Sequence, residues 1–240
     1  MKRILLLLMF APIFLIGQTP PASMLSVSEI TVKMGHEAQF IQGVKMYNEC
    51  YAAAKGTDKW NIYRRYQGEG IVYLITSFYK NWVDMNKDDA ASNSCRSIIT
   101  NFIMPHMEKN NSMVAKTMPE VSKTKPVDLK MIWVTTYSVH DGIGFEAALT
   151  DFSNVIKTAE GDTRSYWFKL VGGSMDDGDY VSSVPFTGYE DMDIVRENTW
   201  KVYEKSQGKQ KSDALRTKVL GLIENSWSYL YELKDDLSVK

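Results

Sequence analysis

The segment Glu29-Ile30-Thr31-Val32-Lys33-Met34-Gly35-His36-Glu37-Ala38-Gln39-Phe40 has a counterpart in outline at Trp133-Val134-Thr135-Thr136-Tyr137-Ser138-Val139-His140. In both, a β-branched run reads as a strand and a histidine follows it, just ahead of a helical pattern. In the first helix Phe40, Val44, Tyr47, Tyr51 and Ala54 recur at steps of four and three. Phe145, Leu149, Phe152, Ile156 and Ala159 repeat those steps in the second. Such spacing puts each set on one face of a 3.6-residue helix. Gly56 and Gly161 follow the two patterns, and each is expected to supply the left-handed residue that ends a helix.

The repeat continues outward from these helices. Trp60 to Tyr66 and Ser165 to Val171 read as strands that close on glycine turns, followed by strands Ile71 to Tyr79 and Tyr180 to Phe186. Trp82-x-Asp84-Met85 parallels Tyr189-x-Asp191-Met192, with both aspartates expected at a helix start. A second helix is predicted over Ser92 to Lys109, broken or kinked by Pro105, and over Ser212 to Ile223. Asn111-Ser112-Met113 and Asn225-Ser226-Trp227 then lead into closing strands. Each half reads strand, helix, strand, strand, helix, strand, the ferredoxin-like order. The fold class is therefore α+β, with two tandem βαββαβ units, 26–122 and 129–240, forming a pseudo-symmetric barrel. The polar, lysine- and proline-containing stretch Ser122 to Asp128 reads as the linker.

Residues 1–17 read as a signal peptide. Lys2-Arg3 precedes an apolar run from Ile4 to Ile16, which fits a secretory core of ~7–15 residues and falls short of the ~20 a spanning helix needs. The expected location is the periplasm or outside the cell. The whole chain carries 28 Lys and Arg against 29 Asp and Glu; loss of the leader leaves 26 against 29, a net charge of −3. That balance offers no general attraction for nucleic acid, and no later stretch is apolar enough to cross a bilayer. In an oxidising compartment Cys50 and Cys95 are either a disulfide across the two helices of the first half or two small buried residues.

The run Gly35-His36-Glu37-Ala38-Gln39-Phe40, its helix, and Trp60-Asn61-Ile62-Tyr63 resemble the dimeric α+β barrel superfamily. That group includes antibiotic-biosynthesis-type and haem-degrading monooxygenases and many exported bacterial proteins. The resemblance implies two ferredoxin-like units packed sheet to sheet, here on one chain, giving a monomer or weak dimer. It also implies a haem-ligating histidine on the second helix, a place that only His106 matches. The first strands contain no Asn and the second half's helix no His, so no cofactor is expected, with haem through His106 as the lesser alternative.

Site chemistry is sparse. No nucleophile elbow, phosphate loop or His-Glu-x-x-His occurs, and no metal site is expected from three histidines in all. His36 and His140 are weak candidates for an acid/base pair of roles, against a helix-start structural role. Asp176-Asp177-Gly178-Asp179 reads as a solvated turn rather than a calcium loop, and Arg64-Arg65 as one ion-paired and one exposed arginine. Trp60, Tyr63, Tyr79, Trp167 and Phe186 are the candidate walls of an aromatic pocket between sheet and helices. The function expected is binding of a small aromatic or apolar molecule. The alternatives are a cofactor-independent oxygenase or isomerase, and an envelope interaction module.

Overall fold

The computed structural model describes residues 21–240; the leader reading at 1–17 lies outside them. Eight strands close a barrel: β1 (Met24–Val32), β2 (Asn61–Arg65), β3 (Ile71–Tyr79), β4 (Met107–Thr117), β5 (Met131–Val139), β6 (Tyr166–Gly172), β7 (Tyr180–Phe186) and β8 (Ile223–Leu233). Their order around the barrel is β1-β3-β2-β8-β5-β7-β6-β4, and every neighbouring pair is antiparallel. Read by halves, this is the ferredoxin-like order twice. The halves join at β2·β8 and β4·β6, two equivalent seams. Because β1 and β5 run the same way, the pseudo-two-fold axis lies along the barrel, and equivalent residues sit at the same end.

Strand pairing fixes the equivalences. Tyr73 pairs with Ile30 on one side and Arg64 on the other; Tyr180 pairs with Tyr137 and Lys169 in the same way. Ile75 therefore corresponds to Ser182, Thr76 to Ser183, and Ile62 to Trp167. Side chains alternate faces along a strand, so one set fills or lines the barrel and the other meets the helices.

Helix α1 (Glu37–Ala53) covers the first half and α4 (Gly142–Glu160) the second. Each is tied to its sheet by a carboxylate. Glu37 Oε1 accepts from Arg64 Nε at 2.6 Å and from Tyr73 Oη at 2.8 Å. Glu146 Oε1 accepts from Lys169 Nζ at 2.7 Å and from Tyr180 Oη at 2.6 Å. The cation and tyrosine are equivalent in the two halves, whereas the glutamates come from different helix positions. The bond from Arg64 holds Glu37 below the ordinary carboxylate range, and that from Lys169 does so for Glu146.

The helix ends differ from expectation in one half. Gly161 does close α4 with φ 77°, but after α1 the left-handed residue is Lys55, with φ 59°. Gly56 serves packing instead: a Cβ there would lie 2.1 Å from the Tyr51 ring. The second helix of the first half is shorter than predicted. Short α2 (Trp82–Met85) precedes α3 (Ala90–Ile98), and a π turn (Ile99–Ile103) and a 3₁₀ turn (Met104–His106) then hand over to β4. Pro105 lacks an N–H and its ring clashes with the carbonyl four residues back, so the helix unwinds before it. Met107 and Asn111-Ser112-Met113 thus belong to the strand. In the second half α5 (Tyr189–Met192) is followed by α6 (Thr199–Gln207), which the sequence reading missed, and α7 (Lys209–Leu222). Asp84 and Asp191 occupy equivalent places, each accepting from a backbone N–H four residues back, of Lys80 and Thr187.

The α1–α3 packing is close. Gly43 admits the Phe102 carbonyl, which would sit 2.3 Å from any Cβ there. Cys50 and Cys95 are joined as a disulfide with their Cα atoms 6.0 Å apart. The linker is less free than a polar composition suggests. Asp162, buried at 7% exposure, receives backbone N–H bonds from Thr124 at 2.9 Å, Lys125 at 2.9 Å and Thr163 at 2.9 Å. Burial alone would raise its pKa; these bonds outweigh burial and hold it at about 2.

Candidate functional site

The two halves bury their helices differently. In the first, Phe40, Ile62 and Tyr73 are 0–1% exposed and Tyr51 is 2% exposed, all under α1. Trp60 adds its ring to Tyr47 and Tyr51, at centroid distances of 5.9 and 5.0 Å. Tyr51 accepts from the Asp58 N–H at 2.9 Å, and burial pushes its hydroxyl up to about 12. The space between α1 and the sheet is filled by this half's side chains together with Leu237 of the C-terminal segment.

In the second half the equivalent space opens into a cleft of about 1230 Å³. The cause lies in the paired positions. Ser182 stands where the first half has Ile75, Ile156 where it has Tyr51, Ser153 where it has Asn48, and Ser165 where it has Trp60. Bulk is lost from both helix and sheet at one level. The cleft is walled by Tyr137 and Trp167 from the sheet, Phe145 and Phe152 from α4, and Trp200 from α6. The rings are ordered among themselves: Tyr137 stacks on Trp167 at 5.6 Å, and Phe152 meets Trp200 at 4.6 Å. Arg196 at the mouth is paired with Asp191, and Arg164 with Glu160. Arg216 also borders the cleft and enters no ion pair among the described residues.

A second cavity, about 880 Å³, is the barrel lumen. Its wall consists of the inward set of every strand, among them Leu25, Val27, Leu74, Met113, Ile132 and Phe168. Burial pushes the Tyr63 hydroxyl here up to about 12.

The residues read from sequence do not converge. Tyr63 lines the lumen, Phe186 the cleft, and Trp167 both. Trp60 belongs to the filled core of the first half, and Tyr79 ends β3 outside both cavities. His36 and His140 border neither cavity. His36 makes no side-chain cap; its Nδ1 shares a hydrogen bond of 2.9 Å with Nδ1 of His106. His140 is exposed, and Asp141 caps α4 by accepting from Gly144 N–H at 3.0 Å. The aspartate-rich hairpin is built inward as well as solvated: Asp177 accepts from Asn111, and Asp179 from the Val139 N–H at 2.8 Å. Of the two adjacent arginines, Arg64 is ion-paired as expected, while Arg65 turns into the lumen rather than outward. Trp200, Ser153 and Ser182 went unrecognised. Their signal was available as the mismatch between paired halves at Tyr51 and Ile156.

No protein-family model matches the chain, and no curated protein does. Solved structures match it in shape. A proposed monooxygenase from Lactobacillus acidophilus NCFM is 12% identical, with TM-score 0.52, over 92% of this chain and 97% of that one. An anthrone oxidase-like protein is 11% identical, with TM-score 0.51, over 89% and 94%. Chlorite dismutase from Candidatus Nitrospira defluvii in complex with imidazole is 10% identical, with TM-score 0.52, over 88% and 92%. The chain thus shares the fold of these structures, an α+β barrel, here with two ferredoxin-like units on one chain.

The expectation that this protein takes no cofactor is corrected by these neighbours. Chlorite dismutase structures stand among them, in complex with imidazole and with cyanide, small molecules that coordinate metal centres. The residues of this chain do not fit a histidine-ligated haem in either cavity. No histidine lines them, His106 is engaged by His36, and no group of three or more metal-ligating side chains occurs among the described residues.

Proposed function

We propose that the protein binds a small, flat, largely apolar molecule in the cleft between α4, α6 and the β5–β7 face. The observation that carries this is the asymmetry between equivalent spaces: one half fills its helix–sheet interface and the other opens it. Ligand pockets are commonly apolar clefts of ~300–1,000 Å³ with a few polar groups at the rim. The cleft offers stacked aromatic walls and arginines at its mouth. We also take the protein to be exported, a reading supported by the Lys2-Arg3 leader pattern and by the Cys50–Cys95 bridge. Since one chain closes the barrel, a monomer is the assembly proposed. An oxygenase acting in the same cleft is the second reading, motivated by the fold shared with a proposed monooxygenase and an anthrone oxidase-like protein.

The test is a thermal-shift titration with 2-naphthol on wild type and on Ser182→Ile, which restores the first half's residue. Ligand affinity for the native state raises apparent stability. Wild type is expected to give a saturable rise that Ser182→Ile abolishes, while the unliganded variant gains roughly 1–2 kcal/mol from the added burial. An unchanged naphthol response in Ser182→Ile would remove the cleft from the proposal.

A further inference from the structure

The barrel lumen carries groups that the cleft reading does not use. An eight-stranded barrel is just wide enough for its own side chains to fill it. Here the inward positions Thr76, Ser183, Ala115 and Thr136 are short, so the lumen stays open. Thr76 and Ser183 are pseudo-symmetry mates, which places the missing bulk on both sides of the axis at one level.

Lys109, Lys123, Asp176 and Asp177 also border the lumen, Lys123 in an ion pair with Asp162, but one pair of charged side chains stands by a buried tyrosine without an ion-pair partner. Glu29 of β1 and Arg65 of β2 both line it, and neither enters an ion pair among the described residues. Tyr231 pairs directly with Arg65 across β2·β8. Its hydroxyl is pushed up by burial first and then by the charge of Glu29, with Arg65 acting in the opposite direction. The carboxylate and the guanidinium thus both lie near this one buried tyrosine. The Arg65 guanidinium lies 4.5 Å over the Tyr229 ring and gives a bond to the Glu69 carbonyl, while its buried Nε has no partner. In the second half the positions matching Glu29 and Arg65 are Thr136 and Leu170, so this charged pair is not a copied structural feature.

We propose that the lumen is a ligand site in its own right, for a small molecule with an apolar body and a neutral head that both donates and accepts hydrogen bonds, as an amide does. The carboxylate of Glu29 accepts and the guanidinium of Arg65 donates. A head presenting both partners satisfies the two without adding net charge to a partly desolvated part of the lumen. A carboxylate head would meet Arg65 but lie beside Glu29, and an ammonium head would have the reverse problem. The body would rest on Leu25, Val27, Leu74, Met113 and Ile132.

The test uses one aromatic body with three heads: indole-3-acetamide, indole-3-acetate and tryptamine, titrated calorimetrically into wild type and into Ser182→Ile. The amide is expected to bind saturably in both proteins, at least fivefold tighter than either charged analogue. Arg65→Gln and Glu29→Gln should each weaken it at least fivefold, and Ala115→Trp, which fills the lumen, should abolish it. Glu29→Gln keeps size, Arg65→Gln shortens the side chain but keeps it polar, and the two serve as the reading if Ala115→Trp does not fold. No saturable binding of the amide, or unchanged affinity in both glutamine variants, overturns the lumen site. A charged analogue binding more tightly overturns the head-group assignment. Loss of naphthol binding with the amide retained would strike only the cleft reading.

Discussion

Removing the Cys50–Cys95 bridge is expected to cost the protein about a third or more of an ordinary domain's stability. The bridge closes a loop of 45 residues between the C-terminal part of α1 and the middle of α3. On the chain-entropy model a loop of that size contributes about 4 kcal/mol at 25 °C. Cys95 is fully buried, so trimming it to alanine adds roughly 1 kcal/mol in lost burial. The double variant Cys50→Ala/Cys95→Ala leaves no lone thiol and should lose about 4–5 kcal/mol in urea unfolding, seen as a lower midpoint with a steeper slope, because the released unfolded chain exposes more surface. The damage should begin at α3 and the π turn, because Gly43 and the bridge together hold them on α1. Thiol titration of denatured, unreduced protein, produced by directing it to the periplasm of an expression host, provides the companion measurement, with no free thiol expected. A double variant within 1 kcal/mol of wild type, or two free thiols per chain, would refute the reasoning.

Three further outcomes follow from the packing. Gly56→Ala drives a Cβ into the Tyr51 ring and should cost roughly 2–3 kcal/mol or more by denaturant unfolding, as over-packing does. Asp162 has a folded pKa of about 2 against an ordinary 3.8, so its contribution is fully present above pH 3.8 and is lost as pH falls through about 2; Asp162→Asn should be less stable at neutral pH and flatter across that acid window in pH-dependent urea melts. His106→Ala should cost about 1 kcal/mol, one hydrogen bond, and leave naphthol binding intact by thermal shift.

The architecture was legible because it is written twice. Ile71–Tyr79 and Tyr180–Phe186 match their strands end to end, and the stripes are buried or half-buried from Phe40 to Tyr51 and from Phe145 to Ile156, while their last members, Ala54 and Ala159, are exposed. What failed was local. A glycine near a helix end was read as the left-handed residue, but at Gly56 the closeness of Tyr51 decided its place and Lys55 took the positive φ. Pro105 does end the second helix early, but the helix expected to reach Lys109 stops at Ile98, and π and 3₁₀ turns lead from it into a strand that begins at Met107. The site was the least legible part. Aromatic residues on strands mark walls without saying which face is empty, so Trp60 in a filled core and Trp167 in an open cleft look alike. Emptiness is a difference between sequences, visible only when Ile75 is set against Ser182 and Tyr51 against Ile156.

The central claim is that the second half's helix–sheet cleft receives the ligand, and the tryptophan indole N–H signals of ¹⁵N-labelled protein test it most directly. Trp200 lines the cleft alone, Trp227 the lumen alone, and Trp60 lies in the filled first half. Titration with 2-naphthol is predicted to shift the Trp200 signal saturably and leave Trp60 and Trp227 in place. A saturable shift at Trp60 or Trp227 with Trp200 unmoved would contradict the account.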